Sequence, residues 1–205
     1  MTSRAAPEAP RRGRPRSERA QGAILRAASE LLQEQGLRAM SMDAVADRAG
    51  VSKATIYRWW PSKGVLALDA FYAEWSHVRG LTPNTGSLAG DLRTRMRAAV
   101  RFMTSRPGRV LRTLIAEVQC DQQLAEGYRA HVLEPLRQQS VDIFRRAIDR
   151  GEIPRDTPVE VVNDLLYGPL FQRLLLRHGP LDRRFADQVV DLVLAAVGVG
   201  PPSNE

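Results

Sequence analysis

The strongest constraint on the fold is the stretch from residue 42 to residue 63, which reads MDAVADRAGVSKATIYRWWPSK. Val45 and Ala46 lie on one helical face, and Gly50 ends that helix because glycine tolerates the positive φ of a tight turn. Ser52 is a residue type that caps helix N-termini, so a second helix is predicted directly after it. Two short helices joined in this way predict a helix-turn-helix, whose second helix enters the major groove of DNA.

The second of these helices has two chemically different faces. Ile56 belongs to its apolar face, which is predicted to pack against the first helix. We expect Lys53 and Arg58 to approach the edges of bases, and Thr55 and Tyr57 to divide between bases and phosphates. The residues predicted to meet DNA from this helix and its cap are Ser52, Lys53, Ala54, Thr55, Tyr57 and Arg58. The alternative is a helical hairpin inside an all-α domain that binds no DNA.

The run from Ile24 to Leu68 resembles the N-terminal domain of the TetR family of bacterial transcriptional regulators. The matching pieces are ILRAASELLQEQG, AGVSKATIYRWW and PSKGVLAL, in the order and at the spacing of that family. Two places depart from its pattern. Trp59 and Trp60 stand where the family more often has His or Tyr followed by Phe, and Gly64 stands where it usually has an acid.

The resemblance implies an all-α fold with two domains. An N-terminal three-helix DNA-binding domain, over residues 20–66, would be joined by a linking helix to a C-terminal helical bundle. That bundle, over residues 67–205, would bind a ligand and dimerise. In the family a hydroxyl residue at the position of Ser41 often touches a phosphate, so Ser41 joins the predicted DNA contacts. Lys63 joins them as well, because it stands at a helix N-terminus where N–H groups and an ammonium can share one phosphate.

The distribution of charge favours a nucleic-acid partner. The net charge is +7, and residues 1–63 carry twelve Lys and Arg against six Asp and Glu. Residues 64–205 are close to balance, with eighteen against seventeen. Because nearly all the excess lies with the helix pair, we expect this part of the chain to bind phosphates. An anionic membrane is a weaker candidate, since the basic arm has no hydrophobic face to insert.

Residues 1–19 are rich in Pro, Ala and Arg and are predicted to form a disordered basic arm. Within the arm, the sequence from Arg12 to Pro15 resembles the core of an AT-hook. Arg12 and Arg14 would then enter a narrow minor groove, with the proline keeping the backbone extended. The alternative is a solvated basic tail that adds only nonspecific affinity for phosphates.

The remaining periodic segments also predict helices. The first helix is expected over residues 17–35 with Gly36 at its end, and the fourth over residues 62–78 as the link between domains. Later helices are expected to cover residues 109–118, 121–150 with an interruption at Pro135, 158–178 and 182–197. The last two have more apolar surface than one core needs, and the resemblance implies that they form a homodimer interface. A two-fold dimer suits a palindromic operator.

No catalytic or metal-binding pattern is recognisable. The three histidines are scattered, and the sequence contains neither a glycine-rich phosphate loop nor a nucleophile elbow. We therefore expect no enzyme activity, no cofactor and no metal. A pocket for a small-molecule effector is expected in the C-terminal bundle. The side chains predicted to line it are Met96, Met103, Tyr128, Phe144, Tyr167 and Phe171. The alternative is that these side chains are simply core.

These observations predict a homodimeric repressor that binds a palindromic operator in double-stranded DNA and is released by a small molecule. The alternative function is an architectural DNA-binding protein that responds to no effector. No apolar run has the length of a membrane span and no signal-peptide pattern opens the chain, so we expect a cytoplasmic protein. The single cysteine, Cys120, excludes an internal disulfide and is interpreted as a core residue, with a redox-sensing thiol as the alternative.

Overall fold

Within residues 14–75 and 82–199, which the computed structural model describes, the chain is helical and contains no strand. The all-α prediction is confirmed. The helices are α1 (Arg14–Ala39), α2 (Met42–Ala49), α3 (Lys53–Tyr57), α4 (Lys63–Trp75), α5 (Leu88–Thr104), α6 (Arg106–Val118), α7 (Gln122–Tyr128), α8 (Glu134–Asp149), α9 (Val159–Leu176) and α10 (Arg183–Ala196). None of them is long and apolar enough to cross a bilayer.

The N-terminal module forms where the sequence places helix caps. Ser41 Oγ accepts a hydrogen bond from the Ala44 amide at 3.1 Å and so starts α2. Gly50 ends α2 in the left-handed conformation, with φ of 65°. Ser52 Oγ accepts from the Thr55 amide at 3.2 Å and starts α3. The predicted roles of Gly50 and Ser52 are confirmed, and with Ser41 they fix both ends of α2 and the start of α3.

The first helix differs from its prediction at its beginning. α1 starts at Arg14, so residues 14–19 are helical rather than part of a disordered arm. Pro15 is compatible with this, because a proline in the first helical turn removes an N–H that has no partner there. At the predicted end, Gly36 leaves the helical conformation with φ of 78°, which puts a kink in α1 before its last residues up to Ala39. Residues 1–13, including Arg12, lie outside the described part of the chain.

Helix α4 joins the two parts of the molecule. Ser62 Oγ accepts from the Val65 amide at 3.3 Å and caps the helix. The helix runs through the predicted domain boundary at residues 66 and 67 without a break. Its predicted final turn, up to residue 78, falls in residues 76–81, outside the described residues.

The predicted long helix over residues 121–150 is divided into three pieces. α7 ends at Tyr128, a π-helical turn covers Arg129–Leu133, and α8 begins at Glu134. Pro135 causes the division, because it lacks an N–H and its ring clashes with the carbonyl four residues before it in a regular helix. The wider π turn ends just before the proline, which therefore lies in the first turn of α8.

Two ion pairs hold α5 against α10. Arg97 donates to both carboxylate oxygens of Asp187, at 2.8 and 2.9 Å, and Arg93 Nη2 lies 2.7 Å from Asp191 Oδ1. The hydrogen bond from Arg97 lowers the pKa of Asp187 below its ordinary value. Arg93 and Arg97 are therefore paired with acids of the same domain.

Candidate DNA-recognition surface and ligand cavity

Helix α3 is held from behind by two buried side chains. Ile56 is fully buried and Trp60 is 1% exposed, so the inner face of the helix is fixed in the core of the module. Ser52, Lys53, Ala54, Tyr57 and Arg58 are all exposed on the other side, and Thr55 is half-buried. α3 is short, because its last helical residue is Tyr57 and Arg58 forms its C-cap. The buried face and the exposed face of α3 are therefore the ones that its sequence predicts.

Lys53 is oriented by an acid from the preceding helix. Its Nζ lies 2.9 and 3.0 Å from the two carboxylate oxygens of Asp43, in the first turn of α2. The hydrogen bond and the negative charge of Asp43 raise the pKa of Lys53 above its ordinary value. The ammonium is therefore kept charged and is placed over the junction between α2 and α3.

Trp59 supports Arg58. The Arg58 guanidinium carbon lies 4.6 Å from the centroid of the Trp59 ring, within the range of a cation–π interaction. Trp59 in turn meets buried Trp60 edge to face, with ring centroids 5.8 Å apart. The pair of tryptophans thus connects an exposed arginine of the recognition surface to the core, which gives Trp59 a structural role that its sequence position left undefined.

Three further residues predicted to contact DNA carry hydroxyl or ammonium groups near the exposed face of α3. Ser41 Oγ accepts a backbone amide, and a hydroxyl in that position still has its own proton to donate to a phosphate. Thr55 Oγ1 shares a hydrogen bond of 2.8 Å with Ser52 Oγ. Lys63 Nζ donates to the carbonyl of Arg38 at 3.4 Å, which places the ammonium beside the end of α1. Their contacts with DNA remain predictions.

Arg48 is a basic residue of the module with a different role. Its guanidinium lies 2.9 Å from Glu34 and 3.7 Å from Glu30. Because both acids belong to α1, Arg48 holds α2 against α1. Sequence alone does not separate this arginine from Arg58, since the distinction depends on which acids the fold brings near.

The C-terminal helices enclose a cavity of about 410 Å³. Its walls come from α4 to α9 and include the π turn before α8. Met103, Tyr128, Tyr167 and Phe171 line it, as predicted. Met96 and Phe144 do not line it and are fully buried in the core instead. The prediction is wrong for these two because helical periodicity identifies the inward face but not the layer in which each side chain ends.

Several important lining residues were not predicted. Phe71 and Tyr72 reach the cavity from α4, and Arg95 and Phe102 from α5. Asn163 reaches it from α9 and is 2% exposed. The available signal for Asn163 was its helical spacing from the apolar residues Leu166 and Leu170, which puts an amide on the buried face of α9. Nothing comparable marks Arg95, which stands in a helix rich in arginine.

Arg95 connects three helices at the cavity wall. Its Nε donates to Ser140 Oγ of α8 at 3.0 Å and to Tyr167 Oη of α9 at 2.6 Å. Its Nη2 donates to the carbonyl of Leu136 at 3.0 Å. Arg95 as a residue is 6% exposed, and these oxygens offset the cost of removing its charge from water.

Comparison with known proteins identifies the family. The profile described as "Bacterial regulatory proteins, tetR family" matches residues 24–70, which contain the helix-turn-helix. The profile described as "Tetracyclin repressor-like, C-terminal domain" matches residues 82–193, more than half of the chain. The chain belongs to the TetR family.

Relatives in this family match along nearly the whole chain. The uncharacterized HTH-type transcriptional regulator YdeS of Bacillus subtilis (strain 168) is 41% identical over 186 residues, covering 91% of this chain and 92% of its own. The DNA-binding transcriptional repressor TetR of Mycobacteroides abscessus is 33% identical, covering 87% and 94%. The crystal structure of the TetR family transcription regulator SCO0332 has a TM-score of 0.74 and 34% identity, covering 89% of this chain and 99% of its own.

Membership of the TetR family makes the protein a helix-turn-helix transcriptional regulator that binds DNA, and not an enzyme. Its two departures from the family pattern have structural explanations. Trp60 fills an aromatic position in the core, and Gly64 leaves room for Leu124, whose Cδ2 would lie 3.1 Å from a Cβ at that position. Among the described residues, no group of three His, Cys, Asp or Glu side chains is placed to hold a metal ion.

Proposed function

We propose that this TetR-family regulator is a homodimeric repressor that binds a palindromic operator and releases it when a small molecule occupies the cavity. The observation that carries the proposal is the course of α4. Lys63, a predicted phosphate contact, is its first residue, and Phe71 and Tyr72 of the same helix line the cavity. A ligand that displaces those aromatic rings therefore acts on a helix that also carries part of the DNA-binding surface.

A second contact connects the cavity to the DNA-binding module. Helix α7, which contributes Tyr128 to the cavity, packs closely on α4 through complementary glycine and leucine positions. A Cβ at Gly64 would lie 3.1 Å from Leu124, and a Cβ at Gly127 would lie 3.2 Å from Leu68. With so little space between them, α4 and α7 move together. A ligand releases DNA only if it binds the arrangement with low DNA affinity more tightly.

Exposed apolar side chains on α9 and α10 support the homodimer. Leu165 is 53% exposed, Leu176 66% and Leu192 72%, although each belongs to a helix whose other face is buried in the core. Exposed large aliphatic residues gathered on two helices are typical of a protein interface. A second copy of this chain is the partner proposed, because two-fold symmetry would present two α3 helices to the two halves of a palindrome.

The cavity also favours an effector-controlled regulator over the alternative, an architectural DNA-binding protein. An architectural DNA-binding protein needs no internal site, whereas a space of about 410 Å³ has the size of a small-molecule pocket. The repressing direction is supported by the name of the Mycobacteroides abscessus relative, a transcriptional repressor with 33% identity.

The test is binding of the purified protein to the DNA upstream of its own gene, compared with a random duplex of equal length across a salt series. The proposal expects a dimer-stoichiometry complex on the upstream DNA, with a specific affinity at least about 1000-fold above the random duplex. Equal affinity for the upstream DNA and the random duplex would leave a distant operator possible, and footprinting across the genome would then search for it. If footprinting also finds no preferred site, the architectural alternative is favoured.

Two substitutions distinguish base reading from phosphate binding. Arg58→Ala is expected to cost about 1–3 kcal/mol on the operator and little on random DNA, because a base contact is sequence-specific. Lys63→Ala is expected to weaken binding to both duplexes alike and to reduce the salt slope by about one, because one phosphate contact is lost. Fluorescence anisotropy over the salt series measures both. An equal loss on the two duplexes for Arg58→Ala would contradict its role in reading bases.

A further inference from the structure

One side chain at the wall of the cavity has a buried hydrogen-bond acceptor without a partner. Asn163 lies in α9, is 2% exposed and lines the cavity. Its Oδ1 has no hydrogen-bond partner among the described residues. An acceptor buried without a partner destabilises the fold, so such groups are uncommon in proteins. A residue that carries this cost at the wall of a cavity is suited to receive a group from a ligand.

The surroundings of Asn163 are apolar and aromatic. Phe71, Phe102, Tyr128 and Phe171 come from four different helices and line the same space. Burial raises the pKa of Tyr128 to about 12, so its hydroxyl keeps its proton at neutral pH. Aromatic side chains stack or meet edge to face with other rings, which favours a flat unsaturated ligand over a flexible polar one.

The charged groups at the cavity already have partners. The guanidinium of Arg95 donates to Ser140, Tyr167 and the carbonyl of Leu136, as described above. Arg137 pairs with Glu160 at 2.6 Å and with Asp164, and the hydrogen bond that Arg137 donates to Asp164 raises the pKa of Arg137. A ligand carboxylate would have to displace existing hydrogen bonds to reach either arginine. The neutral amide of Asn163, by contrast, has a buried acceptor without a partner among the described residues.

We propose that the effector is an uncharged aromatic molecule whose hydroxyl or amide group hydrogen-bonds to the side chain of Asn163. A hydroxyl both donates and accepts, so it complements the carboxamide whichever of its two atoms faces the cavity. The proposal rests on the proposed function in one respect, namely that this cavity is the effector site.

Three probes with one apolar frame and different polar groups test this assignment. They are biphenyl, 4-phenylphenol and biphenyl-4-carboxylate, each titrated into the full-length protein by isothermal titration calorimetry. 4-Phenylphenol is expected to bind about tenfold more tightly than biphenyl, because the buried amide gains its missing partner. The carboxylate is expected to bind more weakly than 4-phenylphenol.

The variant Asn163→Leu provides a second test of the proposal, since leucine is close to asparagine in size and shape but has no polar atoms in its side chain. In this variant 4-phenylphenol is expected to lose its advantage over biphenyl. Gln138→Leu, at an exposed position of α8 outside the cavity lining, is the matched control and should keep the advantage.

Four results would overturn the proposal: tightest binding of the carboxylate, equal binding of biphenyl and 4-phenylphenol to the unaltered protein, an advantage that survives in Asn163→Leu, or no binding of any probe. Each comparison of probes on the unaltered protein stands even if the variant fails to fold. The operator titration without any probe decides the proposed function separately, so failure of the ligand class and failure of the regulator proposal give different results.

Discussion

Replacing Trp60 by alanine is expected to lower the free energy of unfolding by about 3–5 kcal/mol, the usual cost of emptying a buried aromatic site. Trp60 is 1% exposed, and its indole Nε1 donates to Asp69 Oδ2 at 2.7 Å. Because Asp69 belongs to α4, this side chain fastens the end of α3 to the helix that leads to the cavity. Urea denaturation followed by circular dichroism, at one fixed protein concentration, measures the loss.

Two variants separate the causes of that loss. Trp60→Phe keeps an aromatic ring but cannot donate to Asp69, so its cost should lie well below that of the alanine variant. Trp59→Ala removes the neighbouring, half-buried tryptophan and is expected to cost about 1 kcal/mol, the typical effect of a single substitution. Equal losses for Trp59→Ala and Trp60→Ala would contradict the assignment of Trp60 alone to the core.

The helix-turn-helix was predictable because its determinants are local. Ser41, Gly50 and Ser52 act on backbone groups within a few residues of themselves, and Gly50 and Ser52 have the predicted conformation and hydrogen bond. The apolar position of Ile56 likewise fixes which side of α3 is buried. Local rules of this kind need no knowledge of the rest of the chain.

The details of the cavity depend on tertiary packing, and the sequence predicted them less well. Met96 and Met103 share a stripe on α5, yet Met103 borders the cavity and Met96 lies in the core. The hydrogen-bond network of Arg95 joins residues 41 to 72 positions apart in sequence. No helical periodicity encodes such partners.

Two other differences have specific causes. Cys120, interpreted as core, is exposed in the turn after α6, since the apolar stripe of that helix ends before it. The start of α6 at Arg106, three residues before the predicted one, follows from Ser105, whose Oγ accepts from the Gly108 amide at 3.4 Å. Pro107 lies in the first turn, where a helix tolerates proline.

The second large effect is expected at the proposed dimer interface. Substituting glutamate for both Leu165 and Leu192 should raise the dissociation constant of the dimer at least about 1000-fold, or about 4 kcal/mol, because four carboxylates would be buried without partners. Both leucines are more than half exposed in the single chain, so the substitutions leave the core of each protomer intact. Analytical ultracentrifugation over a concentration series measures the change.

A control with equal added charge isolates the interface from a general effect of charge. Thr113→Glu together with Ala116→Glu places two carboxylates at exposed positions of α6, a helix outside the proposed interface, and should leave the dimer unchanged. The Leu165 and Leu192 variant should also lose most of its operator affinity, because a monomer contacts one half-site and gains nothing from the second. A variant that remains dimeric with both glutamates would show that α9 and α10 do not form the interface, and the proposed spacing of the two α3 helices would then be wrong.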